Sequence, residues 1–157
     1  MTGVLYHPPS EIIAQMLDDL GLGNLEDTSD DDPLTGWTIF SVGMPEEPEN
    51  VISVRDTHGR QFLRNHPGGL KPEHYGIQVL VRGSASPSAP YLRCKLIMQY
   101  FDTEVRRETV VLYDSNGIKR TYRVNAVTRT SCVIPSGNDG RRFFYSGNAV
   151  ASIELVT

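Results

Sequence analysis

Apolar residues Ile12, Ile13, Met16, Leu17 and Leu20 are spaced so that they gather on one face of a helix. Ser10 stands just before them, placed to cap the first free N–H groups, and Pro8 and Pro9 hold the preceding chain out of helix. Gly21 and Gly23 supply the stop. At about three turns such a helix is marginal alone, so the pattern predicts a sheet for it to lie on. Residues 37–42 and 51–55 read as strands, separated by the stiff polar turn 44–50 with Pro45 and Pro48. The clearest strand is 75–82. After the Ser/Pro-rich stretch 84–90, a second helix is predicted to about Val105, burying Leu92, Leu96, Ile97, Tyr100 and Phe101. Arg93, Lys95, Gln99 and Asp102 would face outward, with Cys94 among the exposed positions. Either Pro87 or Pro90 fits the first turn, where the missing N–H has no helical partner.

Residues 110–113 suit either a short strand or a helical turn. Residues 114–117 form a turn, 118–129 a strand with Tyr122, Val124 and Ala126 or Val127 inward, 135–140 a loop, and 142–155 the last strand. Two further stretches lack periodicity: an acidic loop at 24–36 and a long Gly/Pro-containing loop at 57–74. Loops of that length in a compact domain are usually functional or ordered by a partner. The element order α-β-β-β-α-(β)-β-β predicts an α+β fold, with a mixed, mostly antiparallel sheet and two main helices packed on one face. A length of 157 residues places this in one domain, residues 1–157.

Composition narrows the class. With 39% apolar and 22% charged residues the chain can bury a core. Its longest apolar runs fall far short of the ~20 residues a membrane helix needs, and residues 1–10 predict no secretory signal. Cys94 and Cys132 are expected as free thiols in a reducing compartment.

Charge is the most informative property. Residues 1–50 carry 11 Asp/Glu and no Lys or Arg, whereas residues 51–157 carry 15 Lys/Arg against 8 Asp/Glu, a net of +7. Either the halves neutralise each other within a monomer, or an acidic face on one copy meets a basic face on the next. The second arrangement suits head-to-tail packing that closes into a ring.

Catalytic constellations are weak. His58, His66 and His74 recur every eight residues near Asp56 and Glu73, but zinc sites usually place two ligands within about 2–5 residues, which favours surface histidines. Neither cysteine has a recognisable base or oxyanion donor. The stretch 137–140 lacks the Lys and following helix of a phosphate-cradling loop. Asp30, Asp31 and Asp32 lack the alternating spacing, central Gly and terminal Glu of a calcium loop. Basic and aromatic residues mingle at Lys119–Arg129 and at Arg141, Arg142, Phe143, Phe144 and Tyr145. On a strand Arg141 and Arg142 face opposite sides, and the overall charge of −4 argues against a dedicated DNA binder. No catalytic, cofactor-binding or metal residue is therefore assigned.

The arrangement resembles the tail-terminator (minor capsid, tail-completion) proteins of long-tailed bacteriophages. The residues that carry the likeness are the opening Ser10-Glu11-Ile12-Ile13-Ala14-Gln15 helix closing at Gly21-Leu22-Gly23, the strand and turn around Phe40 to Pro48, and Val51-Ile52-Ser53-Val54-Arg55-Asp56-Thr57. Tyr75-Gly76-Ile77-Gln78-Val79-Leu80-Val81-Arg82-Gly83, Tyr122-Arg123-Val124, and Pro135 to Arg142 followed by an aromatic strand with Asn148 complete it. The likeness spans about Ser10 to Leu155. It implies a virion structural protein without a catalytic site or cofactor, forming a ring, typically hexameric, at the head–tail junction after assembly in the host cytoplasm. Such a ring caps the tail tube, stops its elongation and offers a surface to the head connector, while DNA passes through the lumen without specific binding. Expected partners are further copies of the chain, the major tail tube protein and the connector or head-closure protein, with no membrane. Glu26, Asp27, Asp30, Asp31 and Asp32 are expected to meet some of Arg106, Arg107, Lys119, Arg120, Arg141 and Arg142 across copies. His58, Arg60, Arg64, His66 and Lys71 are expected to contact tube or connector. Another head-closure or neck protein, and less favourably a small metal-dependent enzyme built on residues 58–73, are the alternatives.

Overall fold

The computed structural model describes residues 5–25, 36–41, 43–57, 73–84 and 86–157. In chain order the elements are α1 (Pro9–Asp19), β1 (Asn24–Leu25), β2 (Thr38–Phe40), β3 (Val51–Thr57), β4 (Glu73–Gly83), α2 (Ser88–Thr103), β5 (Glu108–Tyr113), β6 (Lys119–Arg129), β7 (Ile134–Asn138) and β8 (Phe143–Leu155). One mixed sheet takes the order β1-β2-β3-β4-β8-β6-β5. β1, β2 and β3 run parallel to one another, and every other pairing is antiparallel. This is the α+β arrangement that the element order predicts, with both helices serving one core on one face of the sheet.

β8 is the spine. β4 pairs with it from Phe143 to Ile153 on one side; on the other, β7 takes Phe143–Ser146 and β6 takes Ala149–Leu155. β6 and β7 therefore lie in line along a single edge. Alternation sends Tyr145, Gly147, Ala149, Ala151 and Ile153 toward the helices, together with Ile77, Val79 and Val81 of β4 and Ile52 and Val54 of β3. The small residues on β8 admit α2: a Cβ built on Gly147 would lie 2.6 Å from the Met98 sulfur. α1 packs on both β3 and β5, which lie four strands apart in the sheet order. In a flat sheet those strands would be ~19 Å apart, wider than one helix, so the sheet curls around α1.

Several elements differ from their sequence expectations. Ser10 lies inside α1 and does not cap it; its N–H and hydroxyl bond the Asp56 carboxylate at 2.8 and 2.7 Å, so β3 supplies the acceptor at this helix start. α2 is rotated by about one residue from the expected phase. Cys94 and Met98 are fully buried beside Ile97 and Phe101, while Leu92 is exposed. The flat row of small residues on β8 selects the stripe that fits closest, although both stripes are apolar. Residues 110–113 belong to a true strand, β5. Residues 134–138, expected mostly as loop, form β7, because β6 ends at Arg129 and leaves the start of β8 unpaired on that side. Asn24–Leu25 pairs with β2, inside the span expected as acidic loop, and β4 and β3 extend into both ends of the expected 57–74 loop. The remainder, 26–35 and 58–72, lies outside the described residues.

Candidate assembly surfaces

Among the described residues, large apolar side chains left in solvent fall into two groups. Tyr6, Tyr113, Ile118 and Val156 surround the β5–β6 turn, where β8 ends. Tyr91, Leu92 and Ile134 lie at the other extreme, beside the start of β8. The Tyr91 ring meets Tyr145 edge-on at 5.6 Å, and Ile134 pairs with Ser146. Ten residues separate Tyr145 from Leu155, or ~33 Å of strand.

At the β8 start, the segment 43–50 lies over the face of the sheet opposite the helices. Arg82, on that face of β4, is 3% exposed. It donates to the carbonyls of Pro48 (2.6 Å), Glu46 (3.2 Å) and Glu49 (3.4 Å), while the Ser53 hydroxyl donates to Gly43 (2.8 Å). Arg142 closes the same corner. It pairs with Asp139 at 2.9 Å and Glu46 at 3.1 Å, and donates to the Glu46 carbonyl at 3.1 Å. The Arg142 N–H and then its guanidinium hold the Asp139 carboxyl below the ordinary carboxylate value.

Where β8 ends, the N-terminal segment is fastened to the β5–β6 hairpin. His7 Nδ1 lies 2.6 Å from the buried Tyr122 hydroxyl, and Nε2 lies 2.9 Å from the Tyr113 carbonyl. That carbonyl can only accept, which puts a proton on Nε2 and lets the Tyr122 hydroxyl donate to Nδ1. Burial pushes the Tyr122 hydroxyl's pKa up, against the backbone groups of Tyr6 and His7, which lower it. Arg120 stacks on the Tyr6 ring at 3.6 Å and pairs with Asp114 at 3.0 Å. The Ile118 N–H, with Arg120 and the Asn116 N–H, holds the Asp114 carboxyl low.

The basic residues expected at an interface are thus divided. Arg120 and Arg142 are engaged within the chain. Arg106, Arg107, Lys119 and Arg141 are exposed and make no ion pair among the described residues. Arg106 and Arg107 precede β5, Lys119 opens β6, and Arg141 lies in the β7–β8 turn, so the set spans both ends of the sheet. Glu26, Asp27, Asp30, Asp31 and Asp32, and likewise His58, Arg60, Arg64, His66 and Lys71, lie outside the described residues. Sequence reasoning missed the seven apolar residues. Tyr113 and Ile118 bracket a four-residue turn, and apolar residues flanking a hairpin tip are the signal that could have found them.

Among the described residues, two open hollows mark the sheet. One of about 400 Å³ lies on its helix-free face, lined by His74, Ala126, Thr128, Arg129, Thr130, Val150 and Ser152. Arg129 is held by Asp102 of α2 at 2.7 Å. The other, of about 490 Å³, lies between the end of α2 and the β6 bulge. The first sets His74 across from Ser152 on neighbouring strands, and the second is lined by no cysteine, serine or histidine. Among the described residues no three His, Cys, Asp or Glu side chains converge as metal ligands. Burial pushes the Cys94 thiol up to about 12, which keeps it protonated and unreactive, while Cys132 is exposed. No described helix is long and apolar enough to cross a membrane. No family model matches the chain, and neither does any curated protein.

Proposed function

We propose that this chain is a ring-forming structural protein of a bacteriophage head–tail junction, a tail terminator that caps the tail tube. The supporting observation is the separation of its exposed apolar side chains into two unlike groups at opposite ends of the sheet. A two-fold dimer uses one patch twice; a closed ring joins two different patches on each copy. Apolar residues exposed singly need no explanation, but segregation of the seven large ones among the described residues to two ends fits such a contact. The division of charge along the chain adds orientation, since exposed ion pairs contribute only about 0–1 kcal/mol each and apolar burial must supply most of the affinity. Occupation of the growing end of the tube by a closed ring leaves the next ring of tube protein no seat.

The direct test polymerises tail tube protein with and without this chain and measures tube length by electron microscopy. Short tubes ending in a ring of this protein support the reading; tubes that lengthen without limit overturn it. Mixing sharpens the result. A Tyr113→Glu/Ile118→Glu variant and a Tyr91→Glu/Leu92→Glu variant should each fail to form rings, yet pair one-to-one when combined, because each retains the end that the other lacks.

A further inference from the structure

The outer strand β5 has a feature that the two end patches do not explain. Val156 N–H bonds the Thr121 carbonyl, so from Lys119 to Val124, before the β6 bulge, odd-numbered residues turn their backbone groups to β8 and even-numbered ones to β5. Asp114 N–H bonding the Ile118 carbonyl sets the same alternation on β5. The backbone groups of Thr109, Val111 and Tyr113 therefore point away from the sheet. The Tyr113 carbonyl takes His7. No partner occurs among the described residues for the outward groups of Thr109 and Val111.

Edges of this kind are usually blunted by proline, a bulge or a charge. β7 has Pro135 and a register shift. Residues 109–113 of β5, Thr-Val-Val-Leu-Tyr, have none of these and consist largely of strong strand formers. Charge then selects the occupant. Exposed Arg106 and Arg107 stand at one end of the strand and Lys119 at the other, all without an ion pair among the described residues. Two β5 strands brought together antiparallel would set Arg106 and Arg107 against Lys119 and Arg120 of the second copy, like charge on like. In this chain the matching sign is concentrated in residues 1–50, with 11 carboxylates and no Lys or Arg.

We infer that the open edge of β5 is a strand-pairing site for a second copy of this chain, occupied by an extended segment from that copy's acidic first fifty residues. The pairing is head-to-tail, so it rests on the ring reading and specifies one of its contacts. Backbone hydrogen bonds supply the pairing, and Arg106, Arg107 and Lys119 set its sign.

The test follows ring formation on tubes with two probes. Val111→Pro removes one outward N–H that no described residue uses, in an edge position where proline is tolerated. Thermal unfolding should be cooperative and near that of the parent, while association falls by about 100-fold as the ladder of intermolecular hydrogen bonds is broken. The second probe needs no tolerance of proline. A benzoylphenylalanine photo-cross-linker replaces exposed Thr109, and rings are assembled from mixed light and heavy-isotope chains. Cross-links joining light to heavy chains, with position 109 attached to residues 1–50, support the inference. Rings that cap tubes but cross-link position 109 only within one copy, or to residues 51–157, overturn it and leave the ring reading standing. An unaltered chain that neither forms rings nor limits tube length overturns the ring reading, and this contact with it.

Discussion

The two ends of the sheet each hold a loose segment of chain against the body, and they do so with opposite chemistry. Where β8 begins, the segment 43–50 presents carbonyl oxygens to the sheet, and the side chain that meets them is a donor, Arg82. Where β8 ends, α1 begins, and a helix start presents unused N–H groups. There the partner from the sheet is an acceptor: the Asp56 carboxylate meets Ser10, and the Tyr113 carbonyl accepts from His7 Nε2. The sign of a fastening side chain thus follows the backbone groups a segment leaves over. A proline-rich turn lacks N–H groups and leaves carbonyls in excess, so it calls for a guanidinium; a helix N-terminus calls for an oxygen.

The strongest challenge to this pairing of unlike ends is Arg82→Met. It keeps much of the volume but removes the donor to the Pro48 and Glu49 carbonyls and leaves the Glu46 carbonyl to Arg142 alone, and should lower the unfolding free energy by about 3 kcal/mol in urea titrations. A loss below about 1 kcal/mol would mean that the carbonyls find other donors and that the guanidinium is incidental. Tyr122→Phe, at the opposite end, deletes a single oxygen from the core and leaves His7 Nδ1 without a partner. A loss of about 2 kcal/mol is expected, with hydrogen exchange quickening at residues 5–8 before the sheet responds. Asp56→Ala should cost about 1 kcal/mol, the ordinary effect of losing a helix cap, although this cap comes from a strand 46 residues away.

The smallest effect should be common to both ends. Asp139 and Asp114 each have a carboxyl held below its ordinary value, chiefly by backbone N–H groups. Between those lowered values and the ordinary carboxylate value of 3.8 the unfolded chain binds more protons than the folded one, so stability rises with pH across that window. Their contribution is fully present above that window and is lost as pH falls through the folded values. Acid titration of Asp139→Asn and Asp114→Asn, each against the parent chain, should flatten that slope by a similar amount.

Much of this architecture is legible in the sequence because it rests on local periodicity. The 12/13/16/17/20 stripe gives α1, and the apolar run at 75–82 gives β4. What escaped was decided at long range. Cys94 rather than Leu92 enters the core because of Gly147, Ala149 and Ala151, some fifty residues onward. Asp56, not Ser10, serves the helix start because the fold brings β3 beneath it. β7 exists because β6 stops short. The charge division and the exposed apolar groups differ in the same way. The division at residue 50 shows in a simple count, whereas the gathering of Tyr6, Tyr113, Ile118 and Val156 requires a hairpin, a terminal strand and an N-terminal segment to meet.

Gly147 carries one more consequence. Along the helix-facing row of β8 it alone lacks a Cβ, and the Met98 thioether sits directly over it. Sliding β8 by two residues would preserve every inward and outward orientation, yet bring Ala149 or Tyr145 beneath that sulfur and collide. Alternation alone therefore fixes which way β8 faces, and this single gap acts as a keyway that fixes how far along it sits. Because both solvent-facing apolar groups border the two ends of this strand, the same gap also fixes how far apart they stand.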